Sequence, residues 1–273
     1  MTIPYLCKLL KLPSVVSDAV RDYADSHTSV LDEELRTRLL QRQSWEQAVE
    51  ELKQRIGDDP YGFYILAEML SVACHTYESY RRMGIEDGIF VVTMRFCTRF
   101  IEEHQKTYGN YAFEWAWWFV RQLAMQEFRL GELEYEFVDG DERRIYIHIP
   151  SGARMAPECI QESFAAYKCF LEKYYPEWKD VNRYCNSWMM SPVLGQLLTD
   201  GSNVLAFQRL FEIVSVDYES MAVLDWVYPG EKADFSALSE NTLLQRNMKK
   251  YLLEGGKVGW AEGRLGLRQR GLN

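Results

Sequence analysis

The sequence predicts an α+β protein, with an all-helical N-terminal domain over residues 1–126 and a mixed β-sheet with flanking helices over 127–273. Three observations predict it. Apolar residues recur at helical spacing through the first 126 positions. Near Phe128 the period changes to two. Beyond residue 150, short β-rich runs alternate with helical ones, the order expected of strands and helices packed in layers.

In the first half, Ser44 followed by Gln47 forms a capping-box pattern opening a helix that runs towards Gly57. Asp59-Pro60 reads as an N-cap and first helical residue, ahead of Phe63, Ile65, Leu66, Met69, Leu70, Val72 and Ala73. That helix is predicted to be buried on most sides. One further helix is expected to carry Phe90, Val91, Met94, Phe96 and Phe100. Another, over 111–126, carries Trp115, Trp118, Phe119, Gln122 and Leu123 on one broad face. An aromatic stripe at this spacing is more often core than ligand box.

The clearest hairpin follows. Leu133, Tyr135 and Phe137 alternate with glutamates, Asp139-Gly140 marks a turn, and Ile145, Ile147 and Ile149 alternate with Arg144, Tyr146 and His148. A two-residue turn would set Phe137 opposite Glu142 and mix the faces. A three- or five-residue loop places all the apolar residues on one face, which burial requires. The loop is therefore predicted to exceed two residues, with Glu132 or Glu134 beside His148. The remainder reads as a loop at 150–154, a helix over 157–175, a strand over 184–188 and a helix capped by Ser191-Pro192. A short helix over 203–209 and a strand over 211–216 come next, then a strand over 221–226. A helix over 240–253 ends at Gly255-Gly256, and a strand over 258–265 closes a sheet edge.

Composition restricts the function classes. Of 273 residues, 47% are hydrophobic and 26% charged, the balance of a globular protein rather than a disordered chain. The net charge of −9 is spread over both halves, so no basic module offers a phosphate backbone a landing surface and nucleic acid is not expected as a partner. The six cysteines, Cys7, Cys74, Cys97, Cys159, Cys169 and Cys185, form no C-x-x-C pair, so neither structural metal nor disulfide framework is expected. Lys8 and Lys11 interrupt the only apolar stretch near the start, and no window reaches about 18 uninterrupted apolar residues. The expected location is the cytoplasm, away from membranes.

Few residues suit acid–base chemistry. His27, His75 and His104 lack a nearby nucleophile pattern. His148 lies on the polar face of a strand just before a strand-to-helix loop. There it is either a sheet-packing residue or a base held by a neighbouring carboxylate. The loop Ser151-Gly152-Ala153-Arg154 precedes a helix N-terminus, where backbone N–H groups suit a phosphate and Arg154 would add a charge-assisted contact. Neither a G-x-G-x-x-G nor a Walker A pattern is present. Cys185 and Ser187 on the next strand could point to the same place, without a G-x-S-x-G elbow around them.

Taken together, Phe128-Arg129-Leu130-Gly131 before Leu133-Glu134-Tyr135-Glu136, Ile147-His148-Ile149-Pro150-Ser151-Gly152, Cys185-Asn186-Ser187-Trp188, Ser202-Asn203-Val204 and Leu252-Leu253-Glu254-Gly255-Gly256 carry a resemblance. The chain resembles a bacterial acyltransferase-domain family that pairs a helical N-terminal domain with a GNAT-like C-terminal domain. The resemblance covers nearly the whole chain, most strongly residues 111–265. It implies transfer of an acyl group from acetyl-CoA or another acyl-CoA, as co-substrate and without a metal, to an amine on a small molecule or peptide. It implies His148 as the base, oriented by Glu134, with Cys185 or Tyr184 protonating the leaving thiol. Ser151, Gly152, Ala153 and Arg154 would hold the pyrophosphate, although the usual Gln/Arg-x-x-Gly-x-Gly/Ala loop is reduced to Gly152 and Ala153. The alternative expectation is a catalytically silent module that keeps this fold to bind a ligand or partner.

Overall fold

The computed structural model describes residues 1–231 and 234–266. Two compact units emerge, Met1–Arg129 and Leu130 onward. Among the described residues no strand precedes Glu127, and no helix is long and apolar enough to cross a membrane.

The first unit is built from α1 (Ile3–Leu10), α2 (Ser14–Ser26), α3 (Glu33–Leu39), α4 (Trp45–Ile56), α5 (Phe63–Met83), α6 (Asp87–Met94), α7 (Phe96–Tyr108) and α8 (Ala116–Leu123). Helix α5 is buried on several sides, with Leu66, Met69, Leu70, Val72 and Ala73 almost inaccessible. Its buried carboxylate, Glu68, accepts hydrogen bonds from Tyr23 Oη, Ser29 Oγ and the Val30 N–H, which offsets its desolvation.

Several boundaries differ from the sequence expectation for identifiable reasons. The Ser44 hydroxyl donates to the Arg38 carbonyl, at 2.9 Å, and does not cap α4. Asp59 does serve as a cap, but its Oδ2 accepts from the Tyr64 and Ile65 N–H groups, so α5 starts at Phe63 rather than at Pro60. The single helix expected across Phe90–Phe100 is broken at Arg95, because the Phe90/Met94 pair and the Phe96/Phe100 pair are out of phase by two residues. Helix α8 is shorter than the 111–126 expectation. The Phe113 N–H donates to the Tyr61 carbonyl, and at the other end Met125 adopts φ 56°.

In the second part of the chain lie β1 (Glu127–Leu130), which straddles the division, β2 (Leu133–Val138), β3 (Arg144–His148), α9 (Pro157–Tyr174), β4 (Asn182–Ser187), α10 (Leu194–Leu197), α11 (Asn203–Gln208), β5 (Phe211–Asp217), α12 (Val223–Val227), α13 (Leu243–Leu253) and β6 (Trp260–Leu265). The sheet order is β1-β2-β3-β4-β6-β5, with β3 and β4 parallel and the β2/β3, β4/β6 and β6/β5 pairs antiparallel. A parallel pair needs a crossover, and α9 supplies it. The hairpin pairs Glu134 with His148, Tyr135 with Ile147 and Phe137 with Ile145, leaving a loop of residues 139–143. This is the longer loop that burial demanded.

Helix α9 covers the apolar face. Tyr167 stacks on Tyr135 with centroids 4.2 Å apart, and the Arg183 guanidinium lies over the Tyr167 ring. Ser163 Oγ bonds the Leu133 N–H and the Leu130 carbonyl. Two expected elements are corrected here. Residues 221–226 are not a strand, because Val223 and Val227, one helical turn apart, bury against Trp188, Tyr228 and Met248 as α12. Strand β6 is not at the edge but lies between β4 and β5. A Cβ on its Gly263 would sit 2.9 Å from Phe211 Cβ and 3.1 Å from Met190 Sδ, a closeness only a glycine accommodates.

Candidate active site

Strand alternation assembles the site. Ile145 and Ile147 point into the core, so Arg144, Tyr146 and His148 share the opposite face. The parallel register sets Tyr184 of β4 beside Tyr146, and the antiparallel register sets Glu134 of β2 beside His148. The polar face therefore brings together His148, Glu134 and Tyr184, three of the residues singled out from the sequence.

Glu136 hydrogen-bonds the imidazole. Its Oε2 lies 3.0 Å from His148 Nε2, with the glutamate side chain 5% and the histidine side chain 21% exposed. A carboxylate at Nε2 favours a proton there. Glu134 stands directly opposite His148 in the ladder, and Glu136, one pleat further along the same face, hydrogen-bonds its Nε2. Sequence reading passed over Glu136. The signal was its period-two relation to Glu134, which put both carboxylates within reach of one side chain.

Beyond the last ladder pair the strands part. Strands β3 and β4 pair at Arg144–Asn182, Ile145–Arg183 and Tyr146–Tyr184 and no further, although β3 runs to His148 and β4 to Ser187. From Tyr184 onward β4 pairs on its other side with β6. The facing edges of 147–149 and 185–187 thus do not pair with each other, and backbone donors and acceptors line a split beside His148.

At the head of the split lies the loop before α9. The Ala153 N–H closes a turn on the Pro150 carbonyl at 3.1 Å, and Gly152 adopts φ 75° with nothing within 4 Å of where a side chain would begin. Helix α9 has Pro157 in its first turn and no side-chain cap, so its leading N–H groups are available to an anion. Arg154 is differently disposed from the phosphate contact expected of it. Its backbone N–H and its Nε bond the Glu132 carboxylate at 3.0 and 2.7 Å, and this carboxylate holds the guanidinium pKa up. A small apolar cavity of about 70 Å³ adjoins the loop, walled by Met155, Ile160, Phe164, Phe207 and Leu210.

Cys185 lies in the interior rather than on the polar face. It shares the face of Ile145 and Ile147, is 0% exposed, and burial pushes its thiol well above the ordinary range, so it packs the core rather than meeting a substrate. Ser187 likewise turns inward on its own chain, accepting from the Met189 N–H. Tyr184 remains on the polar face, its ring 4.9 Å beneath the Arg144 guanidinium. His27, His75 and His104 each bond local backbone carbonyls through Nδ1.

Residues 127–265 match the family model of a GNAT-like C-terminal domain, and residues 1–125 match that of an N-acyltransferase N-terminal domain. Among solved structures, an acyltransferase in complex with decanoyl-CoA and teicoplanin superposes with a TM-score of 0.76 at 19% identity, covering 95% of this chain and 86% of that one. A mutant acyltransferase in complex with octanoyl-CoA superposes with a TM-score of 0.76 at 18% identity, over 96% of this chain and 86% of its own. At such identities the likeness establishes the shared fold. No curated protein matches by sequence.

Proposed function

Because this chain belongs to the family that joins an N-acyltransferase N-terminal domain to a GNAT-like C-terminal domain, we propose that it transfers an acyl group from acyl-CoA to an amine at the split between β3 and β4. One observation carries the reading: the ladder between these parallel strands ends at Tyr146–Tyr184, beside a histidine hydrogen-bonded to a buried carboxylate. Amide groups of a pantetheine arm suit the unpaired strand edges of the split. The α9 N-terminus suits the pyrophosphate, and the adjoining cavity suits apolar chain. The four-residue loop contributes mainly Gly152, whose open surroundings let a bulky group approach the backbone.

The chemistry assigns a task to each group. The acceptor must lose a proton as its nitrogen attacks the thioester carbon, and His148, held by Glu136 and faced by Glu134, takes it. The N–C bond forms, the C–S bond breaks and the thiolate departs. The carbonyl oxygen gains charge on the way, and a backbone N–H on the β4 edge of the split stabilises it. A thiol with a pKa near 8.5 leaves readily, so Tyr184 on the same face serves as a modest acid. Octanoyl and decanoyl thioesters, the ligands of the structural neighbours, are the acyl donors to test beside acetyl-CoA.

The test is release of free thiol from acyl-CoA on adding an amine to the full chain, together with a thermal shift by coenzyme A. At about a hundred times its dissociation constant, a ligand of the native state adds roughly 2.7 kcal/mol. The second reading, a silent binding module, is favoured by the engagement of Arg154 with Glu132. Thermal stabilisation without thiol release would select it, and neither effect would exclude both.

A further inference from the structure

On the polar face, a groove of about 420 Å³ opens next to the split. Its position follows from register. Two residues past the Tyr146–Tyr184 pair, His148 and Asn186 occupy equivalent positions on the two diverging strands. From Asn186 the same row continues through Glu262 of β6 to Ser215 of β5, and the adjacent row sets Trp260 opposite Asp217. All five residues line the groove, whose rim is formed by Ser220 and Ala222. The indole N–H of Trp260 donates to Asn186 Oδ1, which fixes the ring as a wall.

Charge decides what fits. Asp217 and Glu262 line the groove, and no lysine or arginine does so among the described residues. One Asp217 oxygen accepts the Glu219 N–H, and Glu262 is ion-paired with Arg144 at 3.8 Å, so the exposed Asp217 supplies the larger part of the groove's negative field. The exposed Asp217 carboxylate, with the Arg144-paired Glu262 and the Trp260 indole beside it, attracts a cation by Coulombic and cation–π interaction. The reacting nitrogen cannot be that cation, because it must be neutral to attack. A second protonated nitrogen on the same molecule can be.

We propose that this groove is the acceptor subsite and that it selects an amine bearing one or two further protonated nitrogens, the di- and polyamine class. The inference rests on the transferase reading above and adds the substrate class. Strand spacing of about 4.8 Å sets the reach: Glu262 stands one strand beyond β4 and Asp217 two strands beyond it. A five-carbon diamine with its reacting nitrogen at the split reaches Glu262, and a longer triamine reaches both carboxylates.

Calorimetric titration of the full chain with n-pentylamine, 1,5-diaminopentane and spermidine tests this directly. Affinity should rise in that order, at least tenfold from first to last, and the gain should shrink in 0.5 M salt. In the Asp217→Asn, Glu262→Gln double variant the ratio should fall towards one. A Glu46→Gln control, on the exposed side of α4 in the first unit, should keep it. Equal affinities, an unchanged ratio in the double variant, or loss of preference in the control would each overturn the proposal. A parallel thiol-release assay separates the two readings. Release with pentylamine but no preference for polyamines retains the transferase and removes the subsite. Selective binding without release from acyl-CoA retains the cation site and removes the transferase on which the acceptor assignment rests.

Discussion

His148 and Glu136 reach one another across the β2/β3 ladder because both project from the polar face, and their 3.0 Å hydrogen bond orders the imidazole before any substrate arrives. Removing the base should lower turnover far more than binding. His148→Ala is expected to reduce kcat about 100-fold or more, with coenzyme A affinity nearly unchanged, as read by thiol release and calorimetry. Glu136 is a positioning residue. In Glu136→Gln the rate should fall by a smaller factor, and the acidic limb of the pH–rate profile should move to lower pH because the imidazolium loses its counter-charge. An unmoved limb would reduce Glu136 to a packing role. For Cys185 the expectation is the reverse: Cys185→Ala should keep kcat within a few-fold. With a thiol reagent at pH 8, exposed Cys169 should label first, and Cys185 and Cys97 only after unfolding.

Between β1 and β2 a single glycine controls how α9 sits on the sheet. Gly131 has φ 68°, and a Cβ there would lie 2.9 Å from Ser163 Cα in α9. Ser163 in turn binds the Leu133 N–H and the Tyr135 hydroxyl, so the helix and the hairpin are joined at this point. Gly131→Ala combines a disfavoured backbone conformation with a backbone clash. It should cost about 1–3 kcal/mol from the conformation alone, measured as a lower denaturant midpoint with an unchanged m-value. A smaller loss than about 1 kcal/mol would mean that α9 can slide without consequence. The hairpin was legible from its period and from burial. The β6 position was not, since strand order is a pairing between distant segments, and the close approach that Gly263 permits has no period in the sequence.

Across the whole molecule, buried acids that ionise late set the alkaline limit. Burial pushes Cys97, Tyr23, Tyr167 and Tyr228 each up to about 12, with the nearby Glu68 carboxylate adding to the effect at Tyr23. These groups hold their protons in the native state to higher pH than in the unfolded chain. Their contribution is complete below the unfolded values, near 9 for the thiol and 10 for the phenols, and is lost as pH rises through about 12. Each group adds at most about 1.4 kcal/mol of loss per pH unit in that window. The melting temperature should therefore be flat from pH 7 to 9 and fall steeply above it. A flat profile to pH 11 would show that these side chains reach water in the native state.

Periodicity alone determined the helical first part, the change of period near Phe128, the length of the hairpin loop and the face on which His148 stands. These depend on interactions between near neighbours, and burial of one face leaves a single register. Only the tertiary structure decided that Glu136 meets the imidazole, that Cys185 turns inward, that Arg154 is held by Glu132, and that the β3/β4 ladder ends at Tyr146 and Tyr184. The physical reason is common to all four. Each is a contact or a parting between segments distant in sequence, fixed by how α9 and the last strands pack on the sheet, and no spacing along the chain encodes a distance across it.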